Sequence, residues 1–151
     1  GVWGFSLGGA VALLGLAQGG RVEAVVADSP YADLGRLTAG YYAALGPLRW
    51  PLALLTRLWA RLIVGVDPSA VSPARAVRGV ETPILLIHSR DDEQIPWEHA
   101  QAIAAGLAGN AQAETWLVDG VPHGGAWASF PEAYEARVRA FFRRHLAPSP
   151  G

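Results

Sequence analysis

A serine near the start of the chain stands in a setting that can make it reactive. Residues 4–8 read GFSLG, a G-x-S-x-G pattern in which a strand turns sharply into a helix around Ser6. A serine hydroxyl is a poor nucleophile at neutral pH, so it needs a base to take its proton and an acid to orient that base. We predict that Gly4 and Gly8 make room for the turn and that the Leu7 N–H forms half of an oxyanion hole.

Two adjacent acids are candidates for the orienting group. Residues 88–96 read HSRDDEQIP and follow the apolar run TPILLI. Carboxylates at the carboxyl ends of parallel strands face the crevice where ligands bind, so Asp91 and Asp92 both qualify. A solvated turn that caps a helix is the structural alternative. Asp28, at the end of another apolar run, is a third candidate for the acid.

The candidate base is His123, which lies in the loop sequence VPHGG at 121–125. Its small neighbours predict an accessible ring. We predict structural positions for the other histidines, with His88 at a strand end, His99 within a helix and His145 near the carboxyl end of the last helix. These four scattered histidines lack a paired metal-ligand spacing, so we predict no metal and no cofactor.

The elements around these residues alternate between strands and helices. Apolar runs predict strands at 22–27, 82–88 and 114–118. Helices are predicted at 7–18, after Pro96, and near the end of the chain, where Ser129 and Glu132 suit a capping box. Alternation of this kind predicts right-handed crossovers and a mainly parallel α/β sheet. The candidate serine, acid and histidine each follow a predicted strand, so one edge of the sheet should collect all three.

Residues 34–66, called the insert below, show no strand pattern. They predict helical pieces broken at Gly46-Pro47 and at Pro51. The apolar stretch at 50–64 is too short to span a bilayer and is interrupted by Arg57 and Arg61, so we predict an amphipathic helix that is buried or forms a lid. Its Leu, Trp and Tyr content predicts an apolar acyl or aromatic pocket, unless these side chains only pack the insert onto the body.

The composition excludes several classes of function. The chain has 151 residues, 51% hydrophobic, with a formal net charge of −1, which indicates a single globular unit. The small net charge gives no reason to expect nucleic acid as a partner, and no membrane partner is evident in this segment. The absence of cysteine excludes disulfides, thiolate metal sites and cysteine nucleophiles.

Taken together, these motifs resemble the α/β-hydrolase fold superfamily. GFSLGG looks like its nucleophile elbow, HSRDDEQIP is similar to the segment that carries the catalytic acid, and VPHGG looks like the loop of the catalytic histidine. This alignment selects Asp92 over Asp91. The stretch DSP at 28–30 resembles the DSP stretch that follows the next strand in the branch of prolyl-oligopeptidase-like and dienelactone-hydrolase-like esterases. The one departure is Ser89, where the family usually has glycine.

The resemblance implies the C-terminal half of a doubly wound α/β-hydrolase sheet. The family's elbow follows the fifth of eight strands, whereas this sequence begins at the elbow and contains no Met. We therefore expect a partial hydrolase domain at 1–147, with the insert as a lid, and a tail at 148–151. The loop that supplies the second oxyanion donor would precede Gly1, so we expect this fragment alone to be nearly inactive. The strand at 22–27 would then lie at or near an open sheet edge.

The leading hypothesis is a serine hydrolase that cleaves a carboxylic ester, thioester or amide through an acyl-enzyme. Ser6 would be the nucleophile, His123 the base and Asp92 the orienting acid, with a small-molecule ester or acyl compound as substrate. A serine peptidase of the prolyl-oligopeptidase-like branch is one alternative. A non-catalytic hydrolase fragment is another.

Overall fold

Four parallel strands form the centre of the molecule. In the computed structural model, which describes residues 1–146, the strands are β1 (Val2–Phe5), β2 (Val25–Asp28), β3 (Ile84–Ser89) and β4 (Ala113–Val118). They lie in the order β1-β2-β3-β4, and each is parallel to its neighbour. The predicted parallel sheet is therefore confirmed, and the carboxyl ends of these strands share one edge. The expected tail at 148–151 lies outside the described residues.

Helices connect the strands and lie on both faces of the sheet. The described helices are α1 (Leu7–Ala17), α2 (Leu34–Tyr41), α3 (Arg49–Ile63), α4 (Pro73–Ala76), α5 (Glu98–Gly106), α6 (Ala126–Ser129) and α7 (Pro131–Leu146), with 3₁₀ turns at Ala43–Leu48 and Pro68–Ala70. This arrangement is the doubly wound α/β class that the alternation of strands and helices indicated.

An apolar cluster on each face holds the helices against the sheet. Leu13 of α1 and Ile103 of α5 pack with Ile84 on one face. Phe141 of α7 packs with Leu85 on the other face. Successive side chains of a strand point to opposite faces, so a strand covered on both sides must be apolar throughout. All six residues of β3 are buried, which explains its unbroken apolar run.

The edge strands of the described sheet are β1 and β4, and β2 lies next to the edge strand β1, near the edge as expected for the strand at 22–27. β2 pairs with β1 on one side and with β3 on the other. Its four residues are all buried, whereas Trp3 and Phe5 of β1 are exposed. The apolar sequence of β2 reflects this interior position.

Two local predictions in the helices were wrong for identifiable reasons. Pro51 does not break the insert, because it lies in the first turn of α3, where its missing N–H needs no helical partner. The kink is at Gly46, whose φ is 56°. The predicted capping box fails because α7 begins at Pro131, which leaves Ser129 as the last residue of α6.

Polar contacts hold α3 to the rest of the insert and to Asp67, the residue that follows the insert. Arg57 and Arg61 of α3 both form ion pairs with Asp67, at 2.8 and 2.6 Å. The Tyr42 hydroxyl lies 2.9 Å from the Thr56 hydroxyl. No residue of α3 is buried. Within residues 1–146, no helix is long and apolar enough to cross a membrane.

The turn between β1 and α1 depends on close backbone packing at one glycine. A Cβ on Gly4 would lie 2.4 Å from the Gly8 carbonyl oxygen, a distance no packed structure tolerates. A Cβ on Gly9 would lie 3.0 Å from the Gly4 carbonyl oxygen. A Cβ on Gly8 would meet nothing within 4 Å among the described residues, so the predicted role of Gly8 in making room was wrong.

We predict opposite effects of alanine at the two glycines of the motif. Gly4→Ala should lower the free energy of unfolding by about 1–3 kcal/mol, because the new methyl group collides with backbone that cannot move independently. Gly8→Ala, the matched control, should raise it by up to about 1 kcal/mol, because alanine is the better helix former. Urea denaturation measures both. Equal effects of the two substitutions would contradict this account of the turn.

A buried histidine predicts a specific loss of stability in acid. The Ala32 N–H donates to Nδ1 of His99 over 3.0 Å, so this nitrogen must stay unprotonated in the fold. Burial, followed by the positive charge of Arg36, lowers the pKa of His99 to about 4. The unfolded chain, with a histidine pKa of about 6.5, takes up this proton first as the pH falls.

The contribution of His99 is therefore complete above about pH 6.5 and is lost as the pH falls toward 4, by up to about 1.4 kcal/mol per pH unit. His99→Asn keeps an acceptor for Ala32 but removes the titration. Urea unfolding at several pH values from 7.5 to 4.5 should show a steeper decline for the wild type than for this variant. Parallel declines would refute the assignment.

Candidate active site

Ser6 lies in a strained turn between β1 and α1. Its φ is 50°, in the left-handed region that residues with a side chain rarely adopt. The Ser6 N–H donates to the Asp28 carbonyl over 2.7 Å, which extends the pairing of β1 and β2 by one residue. Leu7 begins α1, so its N–H has no acceptor within the helix. The turn therefore holds a hydroxyl and a free N–H next to each other.

His123 reaches Ser6 from the loop after β4. Its Nε2 lies 3.0 Å from the Ser6 hydroxyl oxygen, across 117 residues of sequence. The ring of Phe5 packs against the imidazole with centroids 5.1 Å apart. The side chain of His123 is only 7% exposed, so the prediction of an accessible ring was wrong. The aromatic contact of Phe5 covers the imidazole and restricts its rotation.

Asp92 contacts the other nitrogen of this imidazole. Its Oδ2 lies 2.7 Å from His123 Nδ1. The backbone N–H groups of Gln94 and Ile95 donate to its Oδ1 over 3.0 and 2.8 Å. Asp91 instead accepts a hydrogen bond from the Gly120 N–H over 2.6 Å and does not form this contact. Of the two adjacent acids, Asp92 is the one joined to Ser6 and His123.

The three side chains form a continuous path for protons. An ionised carboxylate can only accept hydrogen bonds, so the proton on the imidazole lies on Nδ1 and is donated to Asp92. Nε2 is then free to accept the proton of the Ser6 hydroxyl. This arrangement of hydroxyl, imidazole and carboxylate is the geometry that serine nucleophiles require.

Asp28, the third candidate for the acid, has different partners. Its carboxylate accepts hydrogen bonds from the Ser29 hydroxyl over 2.9 Å and from the Tyr134 hydroxyl over 2.7 Å. Burial raises the pKa of Asp28, and these two hydrogen bonds partly oppose that effect. Ser29 also has a positive φ, 51°, at the end of β2. The Asp28 side chain thus ties the end of β2 to α7, while its carbonyl holds the Ser6 N–H.

The remaining histidines occupy structural positions. His88 is fully buried and its Nε2–H donates to the Ile95 carbonyl over 2.8 Å, which braces the loop after Asp92. Burial lowers the pKa of His88, so it stays neutral there. His99 binds the Ala32 N–H, as described above. The ring of His145 packs against Phe141, with centroids 4.8 Å apart.

Four contributors to this site could not be found in the sequence. The amides of Gln94 and Ile95 act through their backbone, which carries no side-chain signal. Tyr134 of α7 packs in an apolar cluster, and its hydroxyl binds Asp28. Phe5 is the variable residue of the GFSLG motif, and only the packed loop shows that it covers His123.

The cleft beside the insert has a partly charged lining, and none of Ser6, Asp92 and His123 lines it. It has a volume of about 650 Å³ and lies between the insert and the loop after Asp92. Its lining includes Arg36, Arg49, Glu93 and Glu98. The large apolar side chains of the insert are mainly on the outer surface instead of in this cleft. In the described part of the chain, no group of three or more His, Asp or Glu side chains could hold a metal ion.

Comparison with solved structures gives the fold to which this site belongs. The esterase Pf2001 of Pyrococcus furiosus matches with 29% identity and a TM-score of 0.71, over 96% of this chain and 53% of that one. The acylaminoacyl peptidase of Pyrococcus horikoshii matches at 21% identity and a TM-score of 0.68, over 95% of this chain and 23% of that one. The chain is therefore an α/β-hydrolase-fold segment that spans about half the length of the first of these proteins.

Sequence comparison assigns the family. The uncharacterized protein YqkD of Bacillus subtilis (strain 168) is 33% identical over 103 residues, which are 64% of this chain and 32% of that protein. The family model described as the prolyl oligopeptidase family matches residues 1–149, which is nearly the whole sequence. The chain belongs to the prolyl oligopeptidase family.

Proposed function

We propose that this chain carries the catalytic triad of a serine hydrolase that cleaves carboxylic esters through an acyl-enzyme. The observation that carries the proposal is the path from Ser6 to His123 to Asp92, with contacts of 3.0 and 2.7 Å. The similarity to the Pf2001 esterase supports the ester as the substrate class. The family is also compatible with thioesters and amides.

Each residue has one task in the proposed reaction. The Ser6 oxygen attacks the ester carbonyl carbon while its proton passes to His123 Nε2. Asp92 holds the imidazole in orientation and stabilises the imidazolium that forms. The Leu7 N–H donates to the oxygen that becomes negatively charged. The imidazolium then gives its proton to the departing alcohol as the carbon–oxygen bond breaks, and a water molecule repeats the cycle to release the acid.

The strain at Ser6 supports this assignment. A backbone conformation with φ of 50° is unfavourable for serine by about 1–3 kcal/mol, and such residues persist where the surrounding structure enforces them. Here the enforcement comes from the hydrogen bond to Asp28 and from the close packing at Gly4. A turn that served only to connect a strand and a helix would not require a serine in this conformation.

A peptidase is the second candidate, because the family model is that of prolyl oligopeptidase. The same three side chains can attack an amide, which has a poorer leaving group. Acetyl, butyryl and octanoyl p-nitrophenyl esters, compared with an acylaminoacyl p-nitroanilide, distinguish the two substrate classes by their kcat/KM values. A higher kcat/KM for the anilide would favour the peptidase over the esterase.

Ser6 as the nucleophile can be tested by covalent labelling of the full-length gene product. A fluorophosphonate probe should label the wild type, because the probe captures an activated serine. Ser6→Ala should abolish both labelling and ester turnover. Ser129→Ala, in which an exposed serine is removed, should retain both. Labelling that persists in the Ser6→Ala protein would refute Ser6 as the nucleophile, and an unlabelled wild type would favour the non-catalytic alternative.

Substitution of each of the two adjacent acids distinguishes the role of Asp92 from that of Asp91. Asp92→Asn should lower kcat by roughly 10⁴-fold, because the amide cannot hold the imidazole in the required tautomer. Asp91→Asn, its matched control, can still accept the Gly120 N–H and should keep kcat within a few-fold of the wild type. Circular dichroism checks that both variants are folded. The reverse pattern of losses would assign the orienting acid to Asp91.

A further inference from the structure

The charges of the chain are segregated between the insert and the rest of the molecule. Residues 34–66 contain four of the twelve arginines and none of the thirteen acidic residues. The other positions contain eight arginines against thirteen acids. The insert is therefore more positively charged than the body, and Arg36 and Arg49 remain outside the ion pairs that join Arg57 and Arg61 to Asp67. Such asymmetry favours association with a negatively charged partner.

The helix α3 within this segment is oriented opposite to an ordinary surface helix. Its half-buried side includes two polar contacts, Thr56 with Tyr42 and Arg57 with Asp67, beside small or half-buried apolar residues. A surface helix normally turns its apolar side toward the core. The orientation of α3 leaves its apolar side uncovered by any of residues 1–146.

The uncovered side of α3 is wide and continuous. Five large side chains, spaced three and four residues apart along the helix, share it, and they are Leu54, Leu55, Leu58, Trp59 and Leu62. Leu62 is 76% exposed and Trp59 is 53% exposed. Isolated exposed leucines are common, but a contiguous stripe of this kind marks an interaction surface.

The flanks of the apolar stripe carry groups suited to a lipid headgroup layer. Trp50 lies near the start of α3, with the Arg49 guanidinium 4.6 Å from its ring centre. Arg61 is exposed on the border of the stripe. Trp at the interface, Arg at the polar border and Leu on the apolar side are the composition of helices that lie in the plane of a membrane surface.

We propose that α3 binds an anionic phospholipid surface, with Leu54, Leu58 and Leu62 inserted below the headgroups. The helix has 15 residues and is about 22 Å long, so it lies along the surface instead of crossing it. Arg49, beside Trp50 at the start of α3, meets the negative charge of the lipids. The net charge of −1 gave no reason to expect an acidic membrane surface, because it averages the arginines of the insert with the acidic residues of the body.

The charges also decide against a second copy of the chain as the occupant. Pairing two identical α3 surfaces would bring two cationic inserts together, and like charges across an interface oppose association. An anionic bilayer supplies the opposite charge and an apolar layer at the same time. The proposal is independent of the chemistry at Ser6.

The test is flotation of the full-length gene product with vesicles of phosphatidylcholine alone or of phosphatidylcholine with phosphatidylglycerol at 3:1. We expect the wild type to bind the mixed vesicles at least about tenfold more tightly than the neutral ones, with binding weakened by 0.5 M salt. The double variant Leu58→Glu, Leu62→Glu should lose this binding by about a hundredfold or more. Both positions are exposed, so the fold should tolerate the change.

The matched control adds the same charge away from the insert. Ala108→Glu, Ala111→Glu alters two exposed alanines beyond α5 and should retain binding within a few-fold. Wild-type protein that does not float with the mixed vesicles, or a double variant that binds as well as the control, would overturn the proposal. A dimer in sedimentation velocity that the double variant abolishes, with no vesicle binding by the wild type, would assign the surface to a second copy instead.

Discussion

The hydrogen bond from the Ser6 N–H to the Asp28 carbonyl is the interaction on which the candidate site depends. It extends the ladder between β1 and β2 past the end of both strands and holds Ser6 at a φ of 50°. The bond thereby helps to keep the Ser6 hydroxyl at the edge of the sheet. Close packing at Gly4 and the ties of Asp28 to Ser29 and Tyr134 support the same backbone.

The other half of the site is held by a loop that is braced at several points. Both oxygens of Asp92 are engaged, one by two backbone amides and the other by His123. His88 fastens the same loop through the Ile95 carbonyl, and its neutral, buried state suits this role. Since both nitrogens of His123 are also occupied, its ring has one orientation. The site is therefore rigid at its acid end and strained at its serine end, and preorganisation of this kind serves the proposed acyl transfer.

The insert follows different physical rules from the body. The body has two apolar clusters around a sheet that is covered on both faces. The insert has large apolar side chains on its outer surface, and two of its four arginines are paired with Asp67. A lid-like position next to the loop of Asp92 would bring the proposed lipid contact close to the proposed chemistry. The two features stay separable, because they rest on different residues.

The sequence by itself determined the class of the fold and singled out Ser6 and His123, but it left the acid open among Asp28, Asp91 and Asp92 until the family resemblance favoured Asp92. Unbroken apolar runs are the local consequence of strands buried on both faces, and the GFSLG and VPHGG motifs mark turns that few other residues allow. The tertiary structure decided what local pattern could not express. In the folded chain, Asp92 contacts His123 whereas Asp91 binds the Gly120 N–H. Phe5 packs against the imidazole of His123, and the Asp28 carboxylate accepts a hydrogen bond from the Tyr134 hydroxyl. The tertiary structure also turned the apolar side of α3 outward. These outcomes depend on which distant segments meet, and periodicity along one helix or strand carries no information about the partner on its far side.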